Sequence, residues 1–181
     1  MTIMIQKRNG RKEVLDIKKI QKMSIEATAG LDGVSQSELE LDSHIKFIDG
    51  MNSSDIQDAL IKTAVEKIDI DVPNWTFVAA RLFLYDLYHR VGIATYGVKG
   101  EAYRHLKDYI KFGIEAGRII PNLASGYDLD DLNSYIDPSR DFLFNYLGIK
   151  TLYDRFLLKN SKGEPIELPQ QMFMAIAMFL A

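Results

Sequence analysis

The segment 75–91 is apolar on nearly every side, and it constrains what this chain can fold into more than any other feature. Phe77-Val78-Ala79-Ala80 is followed at once by Leu82-Phe83-Leu84. A helix without a polar face has to be surrounded by other elements. The sequence therefore predicts that neighbouring helices bury this one, with Trp75 as the anchor of its start in the core.

Three further helices are predicted upstream, over 16–31, over 35–48 and from Ser54 onward. Ser54 and Gln57 stand at the spacing of a capping box, in which both side chains satisfy free backbone donors. The third helix has an apolar residue at every fourth position, which makes one stripe: Ile56, Leu60, Ala64 and Ile68. Residues 1–91 are thus expected to form a small sheet with four helices.

The sheet is predicted at the start of the chain, as a β-hairpin. Residues 3–8 alternate as a short strand, Asn9-Gly10 is a strong hairpin-turn signal, and 12–17 returns as the partner strand. Lys7 and Arg8 precede the turn, where they can place a mobile point charge and a planar fork of donors over a polyphosphate. Without any comparison, the alternative is that both cations are simply solvated.

Gly92, Gly97 and Gly100 mark a predicted boundary between two domains, 1–92 and 93–181. The second domain stays helical, apart from one short β-hairpin. Its predicted helices cover 103–117, 129–136, 137–152 and 169–181, and the strands of its hairpin cover 156–159 and 165–168. Because the last helix ends on apolar residues, we expect the natural protein to continue past Ala181.

Composition excludes several classes of protein. The net charge of −3 argues against a general nucleic-acid binder. The absence of cysteine excludes disulfides, thiol nucleophiles and Cys-based zinc or iron–sulfur sites within this chain. The sequence also lacks a signal peptide and an apolar run of about 20 residues. We therefore expect a cytoplasmic protein that contacts neither membrane nor nucleic acid.

The pattern Ile5-x-Lys7-Arg8-Asn9-Gly10-x-x-Glu13-x-x-Asp16-x-x-Lys19-Ile20 resembles the opening of an ATP-cone domain. Later landmarks of that domain are resembled by Asp49-Gly50, Ser53-Ser54-Asp55-Ile56 and Ala79-Ala80-Arg81-Leu82. The remainder is similar to the N-terminal helical region of the large (alpha) subunit of class I ribonucleoside-diphosphate reductase. The residues that carry this second resemblance are Tyr135-Ile136-Asp137, Arg140-Asp141, Lys150, Leu152 and Tyr153.

The resemblance implies a mainly α fold, in which a small β-sheet lies as a lid over a four-helix bundle. It also implies the overall-activity site of the reductase, where ATP activates and dATP inhibits, with Mg²⁺ as companion ion. The implied partners are the rest of the large subunit, a second large subunit and the radical-generating small subunit. Since the redox cysteines lie elsewhere in such enzymes, this segment is expected to hold no catalytic residue and no metal ligand set.

The resemblance also assigns nucleotide-binding residues. Lys7, Arg8 and Lys19 match phosphate contacts, and Glu13 matches an acidic position near the sugar and metal. Ile5, Ile17 and Ile20 match contacts to the base, although core packing explains them almost as well. The remaining matches are Asp16, Ser53, Gln57, Tyr85 and His89.

Several of these positions have alternatives. Asp16 stands where the family often has Asn, and it could equally be a helix cap. Gln57 replaces a frequent His, and His89 replaces a frequent Lys. Three alternatives remain for the phosphate contact that this lysine makes in the family. His89 donates to the phosphate as imidazolium, or Arg90 moves toward the phosphate in its place, or nucleotide binding at the site is weakened. Tyr135, Arg140 and Asp141 are expected to be structural.

Two functional hypotheses follow. The first is an allosteric ATP/dATP domain, and the second is a degenerate cone that serves as a subunit-interaction module without binding nucleotide. The missing Cys-based zinc ribbon argues against a cone-based transcriptional repressor. The absence of a Gly-x-x-x-x-Gly-Lys-Ser/Thr loop argues against an independent kinase or ATPase.

Overall fold

A computed structural model describes residues 3–7, 10–44, 46–96 and 103–181. It is mainly helical with a two-stranded antiparallel sheet, which confirms the predicted fold class. The strands are β1 (Met4–Gln6) and β2 (Lys12–Val14). The helices are α1 (Ile17–Thr28), α2 (Gln36–His44), α3 (Ser53–Glu66), α4 (Trp75–Tyr96), α5 (Leu106–Glu115), α6 (Leu129–Ser134), α7 (Tyr146–Thr151) and α8 (Pro169–Leu180).

The chain divides into two compact units. The first comprises the chain up to Phe83 together with Asn145–Leu147, and the second comprises Leu84–Phe144 together with Gly148–Ala181. This division interrupts α4, as does the boundary that the sequence predicts between 1–92 and 93–181. The predicted domain division therefore stays a prediction. No helix among the described residues is long and apolar enough to cross a membrane.

The core of the first unit lies where the apolar segment predicts it. Trp75 is 2% exposed, which confirms its role as an anchor. Every helix of this unit contributes buried side chains: Ile20 and Ala27 from α1, Leu39 from α2, Leu60 and Ala64 from α3, and Val78, Ala79 and Leu82 from α4. The helix without a polar face is thus buried, as expected.

The start of α3 differs from the prediction. Its N-cap is Asn52, whose N–H donates to the Asp55 carboxylate at 3.1 Å, and Ser54 lies within the first turn. The predicted capping box of Ser54 and Gln57 is therefore wrong by two residues. The true pair, Asn52 and Asp55, also has the three-residue spacing of a capping box, so spacing alone did not distinguish the two registers.

The single helix predicted over 137–152 is also wrong. Asp137 does cap a helix, since its carboxylate accepts from the Ser139 N–H at 3.0 Å. That helix is a 3₁₀ segment, Pro138–Leu143, after which Phe144 is extended with ψ 137°. The chain then starts α7 at Tyr146, and the segment 152–156 is π-helical. Asp141 lies buried within this 3₁₀ segment.

The Asp141 carboxylate is fully buried in the second unit. It accepts hydrogen bonds from the Tyr88 hydroxyl at 2.7 Å, the Tyr103 hydroxyl at 2.6 Å and the Gln170 side-chain amide at 2.8 Å. The Tyr103 hydroxyl in turn accepts from the Gln170 backbone N–H at 3.0 Å. One carboxylate thereby joins α4, the 3₁₀ segment and the start of α8.

The second predicted hairpin is present in reduced form. An antiparallel bridge joins Lys159 to Pro165, and the Asn160 N–H donates to the Glu164 carbonyl at 2.9 Å. Phe156 ends the π-helical segment and does not begin a strand. The hairpin is therefore a tight turn closed by one bridge.

Glu167, next to this turn, is a second buried carboxylate. It accepts from the Tyr109 hydroxyl and, at 2.8 Å, from the Leu158 N–H. Burial raises the pKa of Glu167 above the ordinary value of 4.5, against the effect of these hydrogen bonds. The folded protein therefore binds this proton at higher pH than the unfolded chain does, and ionisation of Glu167 opposes folding.

Glu167→Gln is expected to make the unfolding free energy less sensitive to pH. In the wild type, protonated Glu167 contributes to the free energy of unfolding. This contribution is fully present below pH 4.5 and is lost as the pH rises through the raised pKa of Glu167. The free energy of unfolding of the variant, measured by urea unfolding, should therefore increase relative to that of the wild type as the pH rises from about 4 to 7. Glu115→Gln, at the exposed end of α5, is the control substitution of the same type. A pH-independent difference between Glu167→Gln and the wild type would contradict the prediction.

Candidate functional site

The hairpin and the start of α3 lie side by side. Within the hairpin, Ile5 pairs with Glu13 across β1 and β2. On its other edge, β1 forms a parallel bridge between Gln6 and Asn52, with the Gln6 N–H donating to the Met51 carbonyl at 3.0 Å. The residues that follow this bridge on each side are Lys7 and Ser53. The backbone of Lys7 thus lies beside the N-terminus of a long helix.

Two backbone hydrogen bonds between described residues close the hairpin turn. The Lys7 N–H donates to the Arg11 carbonyl at 2.7 Å, and the Gly10 N–H donates to the Lys7 carbonyl at 2.8 Å. Gly10 has φ +80°, a conformation that favours glycine, as the Asn-Gly signal predicts. Arg8 and Asn9 lie outside the described residues, so the role predicted for Arg8 stays a prediction.

Lys7 forms an ion pair with Glu13, with Nζ 3.0 Å from Oε1. Both side chains are partly buried, at 25% and 34% exposure. The hydrogen bond from Lys7 holds the pKa of Glu13 below its ordinary value, and the charges of Lys19 and Arg11 act in the same direction. Glu13 is therefore ionised at neutral pH and surrounded by cations.

Asp16 is the N-cap of α1. Its carboxylate accepts from the Lys18 N–H at 3.1 Å, and Lys19 Nζ lies 3.6 Å from the same carboxylate. The cap alternative for Asp16 is therefore confirmed. Lys19 remains 67% exposed, so its cation is accessible from solvent.

The three isoleucines have different environments. Ile5 and Ile20 are buried in the core, whereas Ile17 is 53% exposed. A cleft of about 360 Å³ between α1 and α2 has Ile17 and Ile20 on its wall. The other residues that line it are Gln21, Ser37, Glu40, Leu41, His44 and Phe47. Its size lies at the lower end of the range for small-ligand pockets.

Ser53 is the first residue of α3, where backbone N–H groups have no partner within the helix and the helix dipole favours anions. Gln57, one turn later, is buried, and its side-chain amide donates to the Leu82 carbonyl at 2.8 Å. Gln57 therefore ties α3 to α4. This bond joins residues far apart in sequence, so no local pattern indicates it.

Tyr85 and His89 belong to the second unit, and their part in nucleotide binding stays a prediction. The Tyr85 ring packs edge-on against Phe142, with centroids 6.3 Å apart. His89 is partly buried on α4.

Arg90, which the sequence offers as an alternative to His89, is already engaged in the second unit. Its Nε lies 2.7 Å from the Asp86 carboxylate, and its Nη1 donates to the Tyr153 hydroxyl at 2.9 Å. The guanidinium also lies 4.8 Å from the Tyr153 ring centroid. A movement of Arg90 toward a phosphate would break all three interactions.

The donor set suits an anion better than a bare metal ion. Among the described residues, no group of three or more His, Asp or Glu side chains could hold a metal. The hairpin instead offers Lys7 and Arg11 near Glu13, and the first turn of α1 adds Lys19. Glu13 is the residue here that would supply an oxygen ligand to Mg²⁺, which prefers oxygen ligands and is commonly held by one or two carboxylates plus phosphates. Arg11 was missed in the sequence, although it directly follows the turn.

Comparison with known families agrees with this geometry. Residues 3–90 match the family model "ATP cone domain", and residues 142–181 match the family model "Ribonucleotide reductase, all-alpha domain". The hairpin and the helices that follow it therefore form a domain of the ATP-cone class.

The relatives are alpha subunits of ribonucleoside-diphosphate reductase. The chain is 61% identical over 179 residues to that of Helicobacter pylori, an alignment that covers 99% of this chain and 22% of the relative. It is 32% identical over 179 residues to an alpha subunit of Escherichia coli K12, an alignment that covers 97% of this chain and 23% of that relative. It is 35% identical over 155 residues to the alpha subunit of enterobacteria phage T4, an alignment that covers 82% of this chain and 20% of that relative.

The chain belongs to the family of ribonucleoside-diphosphate reductase alpha subunits, which confirms the resemblance given by the sequence. It spans about a fifth of the length of these curated relatives, 22% of the one from Helicobacter pylori. The relatives are oxidoreductase subunits, and this chain contains no cysteine.

Proposed function

We propose that this chain is the overall-activity region of a ribonucleotide reductase large subunit, which binds ATP as activator or dATP as inhibitor. The observation that carries the proposal is the parallel bridge between Gln6 and Asn52, because it sets Lys7 beside the N-terminus of α3. A lysine and the N–H groups at a helix N-terminus together favour the binding of an anion. Lys19 adds an accessible cation, and the cleft beside Ile17 and Ile20 offers an apolar wall to a base.

The regulatory effect would act through assembly. Nucleotide in the cone would alter how the large subunit associates with a second large subunit and with the radical-generating small subunit. Such control requires that ATP and dATP differ in affinity for the active and inactive assemblies, since tight binding alone shifts no equilibrium. The catalytic chemistry would belong to the rest of the large subunit.

Titration calorimetry with ATP and dATP at fixed Mg²⁺ tests the proposal. Lys7→Ala is expected to weaken binding by roughly 1–3 kcal/mol, the range for hydrogen bonds to charged groups. Lys22→Ala is the matched control, because Lys22 is 77% exposed and pairs only loosely with Glu26 at 3.8 Å. Equal affinities of the two variants would remove Lys7 from the site.

The second candidate function is a subunit-interaction module that has lost nucleotide binding. It is favoured by the bond from Gln57 to the Leu82 carbonyl and by the engagement of Arg90 with Asp86, since both groups already have partners. Failure of the wild type to bind either nucleotide up to millimolar concentration would support this module and overturn the regulatory-site proposal.

A further inference from the structure

The ion pair between Lys7 and Glu13 occupies the place that the proposed function gives to a phosphate. Lys7 Nζ lies 3.0 Å from Glu13 Oε1, the distance of a direct charge-assisted contact. The two residues lie on the same face of the hairpin, because Glu13 pairs with Ile5 and side chains repeat with a period of two along a strand. A phosphate that approaches Lys7 therefore also approaches the Glu13 carboxylate.

Glu13 is an internal anion for Lys7. The hydrogen bond from Lys7 lowers the pKa of Glu13, and the charges of Lys7, Lys19 and Arg11 act in the same direction. An arriving polyphosphate has to compete with this carboxylate for Lys7, and it is repelled by the carboxylate at short range. A divalent cation on the phosphates reverses the second effect, because it accepts both carboxylate and phosphate oxygens as ligands.

We propose that Glu13 is a specificity-determining residue, which competes with metal-free polyphosphate for Lys7 and makes the site selective for the Mg²⁺ complex of the nucleotide. This inference rests on the proposed function and adds a selection rule to it. When the polyphosphate arrives without metal, the Glu13 carboxylate repels it and competes with it for Lys7. When Mg²⁺ is present, the same carboxylate is an oxygen ligand for the metal. Removal of the carboxylate should therefore strengthen, and not weaken, the binding of a metal-free polyphosphate.

The test is calorimetry at low, fixed ionic strength with inorganic tripolyphosphate and with ATP, each in EDTA and in Mg²⁺. Glu13→Gln is expected to bind metal-free tripolyphosphate about three- to ten-fold more tightly than the wild type. The gain in ATP affinity on adding Mg²⁺ should shrink in the same variant. Low salt is needed because partly exposed charges are screened at higher ionic strength.

The matched control is Glu26→Gln, which removes the same charge from α1, where Glu26 pairs with Lys22 at 3.8 Å. It should leave all four affinities unchanged. In a Lys7→Ala background, Glu13→Gln should give a smaller gain than in the wild type, because no lysine is left to release. Circular dichroism melting of each variant verifies that the hairpin substitution leaves the fold intact.

The outcomes separate the two claims. If the wild type binds ATP with Mg²⁺ but Glu13→Gln binds metal-free tripolyphosphate no more tightly than Glu26→Gln does, the selectivity inference is overturned and the proposed function stands. If the wild type binds neither ATP nor tripolyphosphate in either condition, both claims fail. If Glu13→Gln binds metal-free tripolyphosphate more tightly than the wild type does, and Glu26→Gln does not, the inference is supported.

Discussion

Asp141→Ala is expected to lower the free energy of unfolding by about 3–5 kcal/mol. The fully buried carboxylate accepts from the hydroxyls of Tyr88 and Tyr103 and from the Gln170 amide. Alanine would leave these three partly buried donors without this acceptor and create a cavity at the fully buried position 141. Because each unsatisfied buried donor is costly, the loss should exceed that of an ordinary truncation.

Asp141→Asn is the matched control for this substitution. Its side-chain oxygen can still accept from the two tyrosines, and its amide can donate to Gln170 after the Gln170 amide rotates. We therefore expect a loss below about 1.5 kcal/mol. Hydrogen exchange followed by mass spectrometry should show reduced protection at the start of α8 in the alanine variant only. Equal losses for the two variants would show that the hydrogen bonds of Asp141 are not what stabilises this unit.

Trp75→Ala is expected to destabilise the first unit by about 3–5 kcal/mol, the range for deletion of a buried aromatic side chain. Trp75 is 2% exposed at the start of α4. Lys67 Nζ lies 5.4 Å from its ring centroid and is paired with Glu38 at 2.5 Å and Asp42 at 2.6 Å. Loss of the ring would open a cavity and remove the surface over which this ion-pair network is ordered.

The measurement has to avoid tryptophan fluorescence, because Trp75 is the only tryptophan of the chain. Chemical denaturation followed by circular dichroism gives the free energy, and hydrogen exchange of peptides from α3 locates the loss. Trp75→Phe retains an aromatic ring and should cost less than half as much as alanine. A change below about 1 kcal/mol for Trp75→Ala would contradict the assignment of Trp75 as a core anchor.

These two residues show why different parts of the fold differ in predictability. Trp75 was identified as a core anchor because it begins an apolar segment, and local pattern is enough to indicate burial. Asp141 was expected to be structural from the family resemblance alone. Its three donors come from positions 88, 103 and 170, so no local sequence pattern joins them.

The candidate site divides in the same way. Local pattern predicts the turn with its glycine and places Lys7 just before it, whereas Glu13 is assigned to the site by the family resemblance alone. The sequence leaves Asp16 open between ligand and cap, and the structure shows the cap. The sequence offers Gln57 and Arg90 as groups for a ligand, whereas packing brings a partner to each of them.

The sequence by itself determined the helical class, the hairpin with its Asn-Gly turn, the burial of the helix that starts at Trp75, and the family. These follow from short-range periodicity, turn chemistry and motif spacing, which act within a few residues. Only the tertiary structure decided that β1 lies beside the start of α3, that Lys7 is paired with Glu13, and that the predicted helix over 137–152 is broken. The physical reason is that hydrogen bonds and ion pairs between distant segments depend on how the elements pack, and packing overrides local propensity wherever a buried polar group needs a partner.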